Sequence, residues 1–256
     1  MDFIPEAFLE HAGACYVPGN TQNLGPGETA VTRLIEGVCA QFPKQSFAIL
    51  RERIFSRQPL TPACEGMIRV VAKRASFLPE IEYVEAFLNA SADGSRIEVS
   101  PNEPLLFDIP NAPKFFGAEK EVAEFAITLR SQSFQGDIRK PVACVLISSS
   151  NEVLAYAWNT NEKNRAQHAE LNLIRSLKTH GLHKIPASAT LIVTLKPCAM
   201  CAAQIFTAAA ENSSTLKIIY LEDDLGPMAQ NSVLVKGSTL WTKAGEPDIR
   251  LAPFLI

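Results

Sequence analysis

Between residues 114 and 256 the hydrophobic positions switch repeatedly between two periods. Glu119 to Ser131 reads as a helix. Pro141 to Ile147 is a short, continuous apolar run, which predicts a strand buried on both faces. Glu152 to Trp158 predicts a second strand, joined to the first by the polar turn Ser148-Ser149-Ser150-Asn151. From Ala166 to His180 the period becomes helical: Glu170, Leu173, Ile174 and Leu177 fall at i, i+3, i+4 and i+7, and Gly181 and Pro186 follow as stop signals. Thr190 to Leu195 is β-branched and continuous, a buried strand. Pro197 suits the first turn of the next helix, whose one stripe holds Cys198, Cys201, Ala202, Ile205 and Ala209. Leu216 to Leu221 predicts a fourth strand; a short helix near Met228–Leu234 and a last strand near Ser238–Thr242 complete the series. The alternation predicts an α/β domain, a mostly parallel sheet covered by helices on both faces.

Residues 101–117 carry four prolines and interrupt every period, so the chain is expected to divide into domains 1–113 and 114–256. The first is less legible, an α/β or α+β domain with helices over Thr29–Phe42 and Ala63–Leu78. Arg51, Arg53 and Arg57, and Arg69, Lys73 and Arg74, form two basic clusters that suit RNA phosphates or simply a solvated face. No second H-x-E or C-x-x-C occurs, so the sequence shows no duplicated catalytic unit, and no short-period repeat is visible.

Two short motifs carry chemistry. His168-Ala169-Glu170 opens the helix of the second domain, and Pro197-Cys198-Ala199-Met200-Cys201 follows after the next strand. Histidine nitrogen and cysteine thiolates are ligands zinc prefers, and two cysteines three apart on a helix can share one ion. A helix start favours the thiolate form. Glu170 lies on an apolar face, where a carboxylate is costly unless it is paired or does chemistry. Taken alone, H-x-E also fits a helix whose first turn carries Glu for dipole reasons, and the cysteines also fit buried core thiols. Together they match H-x-E…P-C-x-x-C, the pattern of zinc-dependent nucleobase deaminases. His180 and His183 form an H-x-x-H pair at a helix end, where capping is the commoner role, and are not counted as ligands.

Composition sets the context. The 256 residues are 47% hydrophobic, enough for one large core or two modest ones. Cys15, Cys39, Cys64 and Cys144 show no framework spacing and read as reduced core thiols, which points to the cytoplasm. The first residues are too acidic and too weakly apolar for a signal peptide, and no run approaches a membrane span. The net charge of −3 divides into −5 over 1–113 and +2 over 114–256, weak support for a polyanionic substrate.

Residues 114–256 resemble the cytidine deaminase-like superfamily, on the branch of tRNA adenosine, guanine and deoxycytidylate deaminases. Thr194-Leu195-Lys196-Pro197-Cys198-Ala199-Met200-Cys201 is similar to that branch's T-L-E-P-C-x-M-C, with Lys196 where the branch usually carries Glu. The resemblance implies a three-layer α/β/α domain with a five-stranded sheet. It implies Zn2+ bound by His168, Cys198 and Cys201, with Glu170 as proton carrier. It implies substrate contacts from Asn159, which fits a turn residue closing its strand equally well, and from the backbone of Ala169. The implied activity is hydrolytic deamination of a nucleobase, within tRNA-type RNA or, alternatively, as a free base or nucleotide such as guanine or a cytidylate. A non-catalytic zinc-bearing partner subunit is the reading from another class. A homodimer is the implied assembly, with Phe115-Phe116 and Leu251–Ile256 as apolar contact surface.

Overall fold

The computed structural model describes residues 4–92, 95–135, 140–162, 164–209, 215–230, 240–243 and 249–250. The chain divides into two compact units. The first comprises Met1–Leu24, Glu28–Glu103 and Lys163–Ala166; the second comprises Gly25–Gly27, Pro104–Glu162 and Gln167–Ile256.

The first unit begins with a hairpin, β1 (Ala7–His11) and β2 (Ala14–Pro18). Its turn places Ala12 and Gly13 at φ 52° and 77°, the left-handed pair that lets a two-residue connection follow the strand twist. Then come α1 (Ala30–Gln41), the short α2 (Ser46–Ile49), β3 (Arg53–Ser56), α3 (Pro62–Val70), β4 (Arg74–Phe77), α4 (Glu80–Ala90) and β5 (Arg96–Val99). The sheet order is β4-β3-β1-β2-β5. β1 is antiparallel to β2 and β3, while β3–β4 and β2–β5 are parallel. Phe8, Cys15 and Val17 point to α4, where Phe8 meets Tyr83 and Phe87 edge-on at 5.4 and 5.5 Å. By the alternation of strand side chains, Tyr16 faces the other way, against Phe42 at the end of α1.

The helix expected over Ala63–Leu78 stops at Val70. The β-branched pair Val70-Val71 is stiff in a helix, and Arg74–Phe77 gains a ladder against β3 instead. Arg69, Lys73 and Arg74 therefore do not share one helix face. Arg53 donates to Ser76 Oγ at 2.7 Å, Arg57 pairs with Glu80, and Arg74 donates to the Arg51 carbonyl at 2.9 Å.

The second unit contains α5 (Glu119–Arg130), β6 (Ala143–Ile147), β7 (Val153–Trp158), α6 (Ala169–Leu177), β8 (Thr190–Leu195), α7 (Ala199–Ala209), β9 (Lys217–Glu222), β10 (Leu240–Lys243) and the two-residue β11 (Ile249–Arg250). The sheet order is β11-β10-β9-β8-β6-β7. Every β6 residue is buried, and the alternation sorts them. Cys144 and Leu146 pack with Leu173, Ile174 and Ile205 of α6 and α7. Ala143, Val145 and Ile147 pack with Val122, Ala126 and Leu129 of α5. The domain is thus three-layered, α/β/α.

The sheet is mixed rather than mostly parallel. β8–β9 and β9–β10 are parallel, but β6 is antiparallel to both neighbours, and β11 is antiparallel to β10. The reason is the turn at 148–151: it folds β7 back beside β6, and the crossover through α6 then sets β8 on the far side of β6. β6 runs against two strands that share a direction. Of the short helix expected near 228–234, a 3-10 turn covers Pro227–Ala229 and residues from 231 lie outside the described residues. Phe115 is 62% exposed, whereas Phe116 packs against the α5 face of the core. Leu251–Ile256 lie outside the described residues. Among the described residues no helix is long and apolar enough to cross a membrane.

The β6–β8 ladder ends at Cys144, and the Thr194 side chain completes it. Its hydroxyl, fully buried, accepts the Ala143 N–H at 3.0 Å. Thr194→Val keeps the shape and strands that N–H, a loss of about 1–3 kcal/mol. The expected readout is a lowered urea midpoint for the second unit with an unchanged slope.

Candidate metal and catalytic site

His168 is the N-cap of α6, with extended backbone at φ −71° and ψ 157°. An N-cap side chain ordinarily accepts a first-turn N–H. His168 makes no such bond, and its Nδ1 turns to the start of α7. There Nδ1 lies 3.8 Å from Cys198 Sγ and 3.5 Å from Cys201 Sγ, and the two sulfurs are 3.5 Å apart. A tetrahedral zinc with bonds of about 2.3 Å to sulfur and about 2.0 Å to nitrogen places S···S near ~3.8 Å and S···N near ~3.5 Å. The three donors fit such an ion within a few tenths of an ångström. Among the described residues they are the one group of three histidine, cysteine or acidic side chains arranged to hold a metal. His180 and His183 are exposed and outside it.

The electrostatics suit a ligand set. The Cys201 thiol, hydrogen-bonded to Cys198, holds Cys198 well below the usual thiol range, while burial pushes Cys201 well above it. A metal would take both sulfurs as thiolates, so its binding would release thiol protons. For His168, burial pulls the pKa down, but the bond and charge of Cys198 outweigh it and the net direction is up. Glu170 is 3% exposed. Burial raises its carboxyl to about 7, with the Cys198 charge adding and His168 opposing. At neutral pH it is therefore poised both to accept and to donate a proton.

Both residues line a cavity of about 450 Å³, a size that accommodates a small-molecule ligand. Asn159, at the end of β7, is 3% exposed and lines it too. Its Oδ1 accepts the Val142 N–H at 2.9 Å, and its Nδ2 donates to the Lys140 carbonyl and to Asn161 Oδ1 at 3.0 and 3.1 Å. The amide thus holds the cavity wall in place. Ala169, fully buried between the two motif residues, lines the cavity at the first turn of α6.

Sequence reasoning missed three contributors. Asn172, one turn beyond His168, donates from Nδ2 to the Trp158 carbonyl at 2.9 Å and Thr160 Oγ1 at 3.1 Å, which fixes α6 to the end of β7. Lys140 and Asp224, an ion pair at 2.9 Å, stand on the cavity wall. Burial tends to raise Asp224, but its bonds to Lys140 and the Gly226 N–H bring it below the usual carboxylate value. Lys196, noted in the sequence as a departure, also lines the cavity, 3.8 Å from Asp223.

Residues 133–241 match the family model described as Bd3614-like deaminase. No curated protein matches the chain. Among solved structures, similarity extends to a chain from a study of tRNA:A34 deaminases, at 25% identity over 53% of this chain and 95% of that one, with a TM-score of 0.38. It extends to a dCMP deaminase from the cyanophage S-TIM5, at 21% identity over 49% and 95%, TM-score 0.38. A guanine deaminase from Nitrosomonas europaea is similar at 18% identity over 48% and 72%, TM-score 0.39.

The convergence of three donors predicts about one zinc per chain. Cys198→Ala/Cys201→Ala is expected to remove it, read by elemental analysis of the purified, folded protein; full retention of metal in that variant would refute the ligand set.

Proposed function

We propose that the protein is a zinc-dependent hydrolytic deaminase of a nucleobase, with residues 133–241, which match the Bd3614-like deaminase model, forming a domain of the cytidine deaminase-like superfamily. The observation that carries the reading is the convergence of His168, Cys198 and Cys201 beside a buried Glu170 in one cavity. A zinc ion held there supplies a water activated near neutral pH and a positive charge at the reacting centre. Glu170 takes the proton of the attacking water, passes it to the ring nitrogen, and helps the exocyclic amine leave as ammonia. Asn159 and the first turn of α6 shape the wall against which the base lies. A purely structural zinc subunit has no use for a carboxylate buried at this cost, so Glu170 opposes the non-catalytic reading.

The substrate proposed is a base carried in RNA of the tRNA type. Lys140 and Lys196, which line the cavity beside Asp224 and Asp223, are cations that a nucleotide's phosphate would engage in competition with those carboxylates, and the chain carries a further unit beyond the deaminase domain; both support this reading. A free base or nucleotide is the second reading. The internal commitments of Arg53, Arg57 and Arg74 favour it, because they weaken the case for an RNA-gripping first unit. The proposed setting is a cytoplasmic homodimer, which sedimentation at micromolar concentration tests.

Glu170→Gln is expected to keep its zinc and lose activity by at least about 10²-fold; loss of metal, or near-normal turnover, would show the role to be wrong. Incubation of the zinc-loaded protein with bulk tRNA, nucleotides, nucleosides and free bases, read by ammonia release and a mass change of about 1 Da per event, selects the substrate. If RNA is the substrate, its binding weakens steeply with salt. Efficient turnover of a free base or nucleotide without tRNA binding at low salt would overturn the RNA reading.

A further inference from the structure

The first unit follows the same chain path as the second. The first strand pair of each is a hairpin, β1–β2 and β6–β7, preceded in the second unit by α5, which has no counterpart before β1 among the described residues. The hairpin's first strand lies antiparallel to the strand that comes next in sequence, β3 or β8, which in turn is parallel to β4 or β9. The four-strand order is the same, β2-β1-β3-β4 and β7-β6-β8-β9. A helix joins the hairpin to the third strand, α1 or α6, and another joins the third strand to the fourth, α3 or α7. In each unit these two helices pack against one another. The units also differ in α5, in the extra short helix α2 before β3, and at the fifth strand: β10 extends the sheet beside β9, whereas β5 lies parallel to β2 at the opposite edge.

The correspondence reaches the metal ligands. His168 is the N-cap of α6, and Thr29 is the N-cap of α1. Cys198 and Cys201 stand three apart at the start of α7; Thr61 and Cys64 stand three apart at the start of α3, with Thr61 the N-cap. Thr29 and Cys64 are 35 residues apart, His168 and Cys201 33. In space the three converge as the ligands do: Cys64 Sγ lies 3.2 Å from Thr29 Oγ1 and 3.3 Å from Thr61 Oγ1. They line a cavity of about 160 Å³ within the first unit. His168-Ala169-Glu170 is answered by Thr29-Ala30-Val31, and Asn159, next after β7, by Gly19, next after β2.

We infer that the first unit is a second copy of the deaminase fold whose metal site has been lost, with Thr29, Thr61 and Cys64 in the three ligand positions and Val31 in place of the proton carrier. Two hydroxyls and one thiol are a poor set for zinc, which takes thiolate, imidazole or carboxylate. Without the ion, and with no carboxylate at the position of Glu170, the copy lacks the water-activating pair of the second unit; Glu28, on the wall of the same cavity, is paired with Arg33 at 3.3 Å. The chain therefore pairs one catalytic unit with one non-catalytic unit, and any contribution of the first unit is binding or support.

Restoring the ligands tests this. Thr→Cys is close to isosteric, so Thr29→Cys/Thr61→Cys with the native Cys64 presents three sulfurs where the catalytic unit presents one nitrogen and two. The pair is made in a Cys198→Ala/Cys201→Ala background, so that the count is independent of whether the catalytic unit binds zinc as proposed. The expected result is a gain of one zinc per chain by elemental analysis, a thiolate-to-cobalt charge-transfer band with Co2+, and loss of both on adding Cys64→Ala. Circular dichroism verifies the fold. If the multiple variant does not fold, Thr61→Cys alone in the otherwise native protein is expected to give an added two-sulfur cobalt band that Cys64→Ala removes. A folded variant that gains no metal, or a metal gain indifferent to Cys64, overturns the inference.

Discussion

Cys198 and Cys201 belong to the start of α7 and His168 to the start of α6, yet three atoms from these separate helices come within 3.8 Å of one another. What allows this is the direction of two strands. β7 and β8 both run against β6, so they run with each other, and the chain leaves both at the same edge of the sheet. The helices that follow begin over that edge, where open α/β sheets collect their ligands. Each helix start brings unpaired backbone donors and a favourable field for anionic sulfur. The hairpin turn at 148–151 is therefore as much a determinant of the site as the cysteines are, because without the reversal β7 and β8 would not share an edge. Asn172 secures the arrangement by binding α6 to the end of β7.

The same construction explains how a carboxylate comes to be buried. Glu170 lies on the inward stripe of α6 with Leu173, Ile174 and Leu177, all 3% exposed or less. In that position burial lifts its pKa to about 7. Such a group is costly to the fold, since the charged form loses its water, but it is well matched to moving protons at neutral pH. Lys140 and Asp224 sit on the same cavity as a mutually satisfied pair, so their charges add little net field at Glu170.

The sequence revealed the parts of the site that chemistry ties to local spacing. H-x-E and C-x-x-C need their residues on one or two turns of a helix, so they stand out in a string of letters. β6 and β8 were equally legible, being buried on both faces and hence apolar without interruption. Asn172, Lys140 and Asp224 were not, because each reaches the site from a different element and none has a spacing of its own. Sheet direction was misjudged because the alternation of strands and helices suggests crossovers, and the one hairpin inverts that expectation for β6. In the first unit the helix drawn through Ala63–Leu78 joined α3 to β4 across the stiff Val70-Val71 step, which hid a strand and with it the likeness of the two sheets. A fold relieved of its chemistry keeps only a hydrophobic pattern, and many residues satisfy a hydrophobic pattern. The duplicate is therefore visible in strand pairing and invisible in motifs.

Comparison of the two N-caps shows the cost of the chemistry. Thr29 accepts the Thr32 N–H at 3.1 Å, and Thr32 returns a hydroxyl to the Thr29 N–H at 2.8 Å, a reciprocal cap on α1. His168 caps nothing on α6. A capping side chain contributes about 0.5–2 kcal/mol, so the second unit forgoes roughly that much to aim an imidazole at two sulfurs, a loss that a bound metal would offset. Once a unit is no longer required to hold an ion, replacing His by Thr at this backbone position stabilises the helix, and Thr61 before Pro62 does the same for α3. On the inference that the first unit once held a metal, loss of that site is the direction in which stability alone would move the unit, and an uncapped His168 in the second unit is what a requirement for that imidazole would preserve.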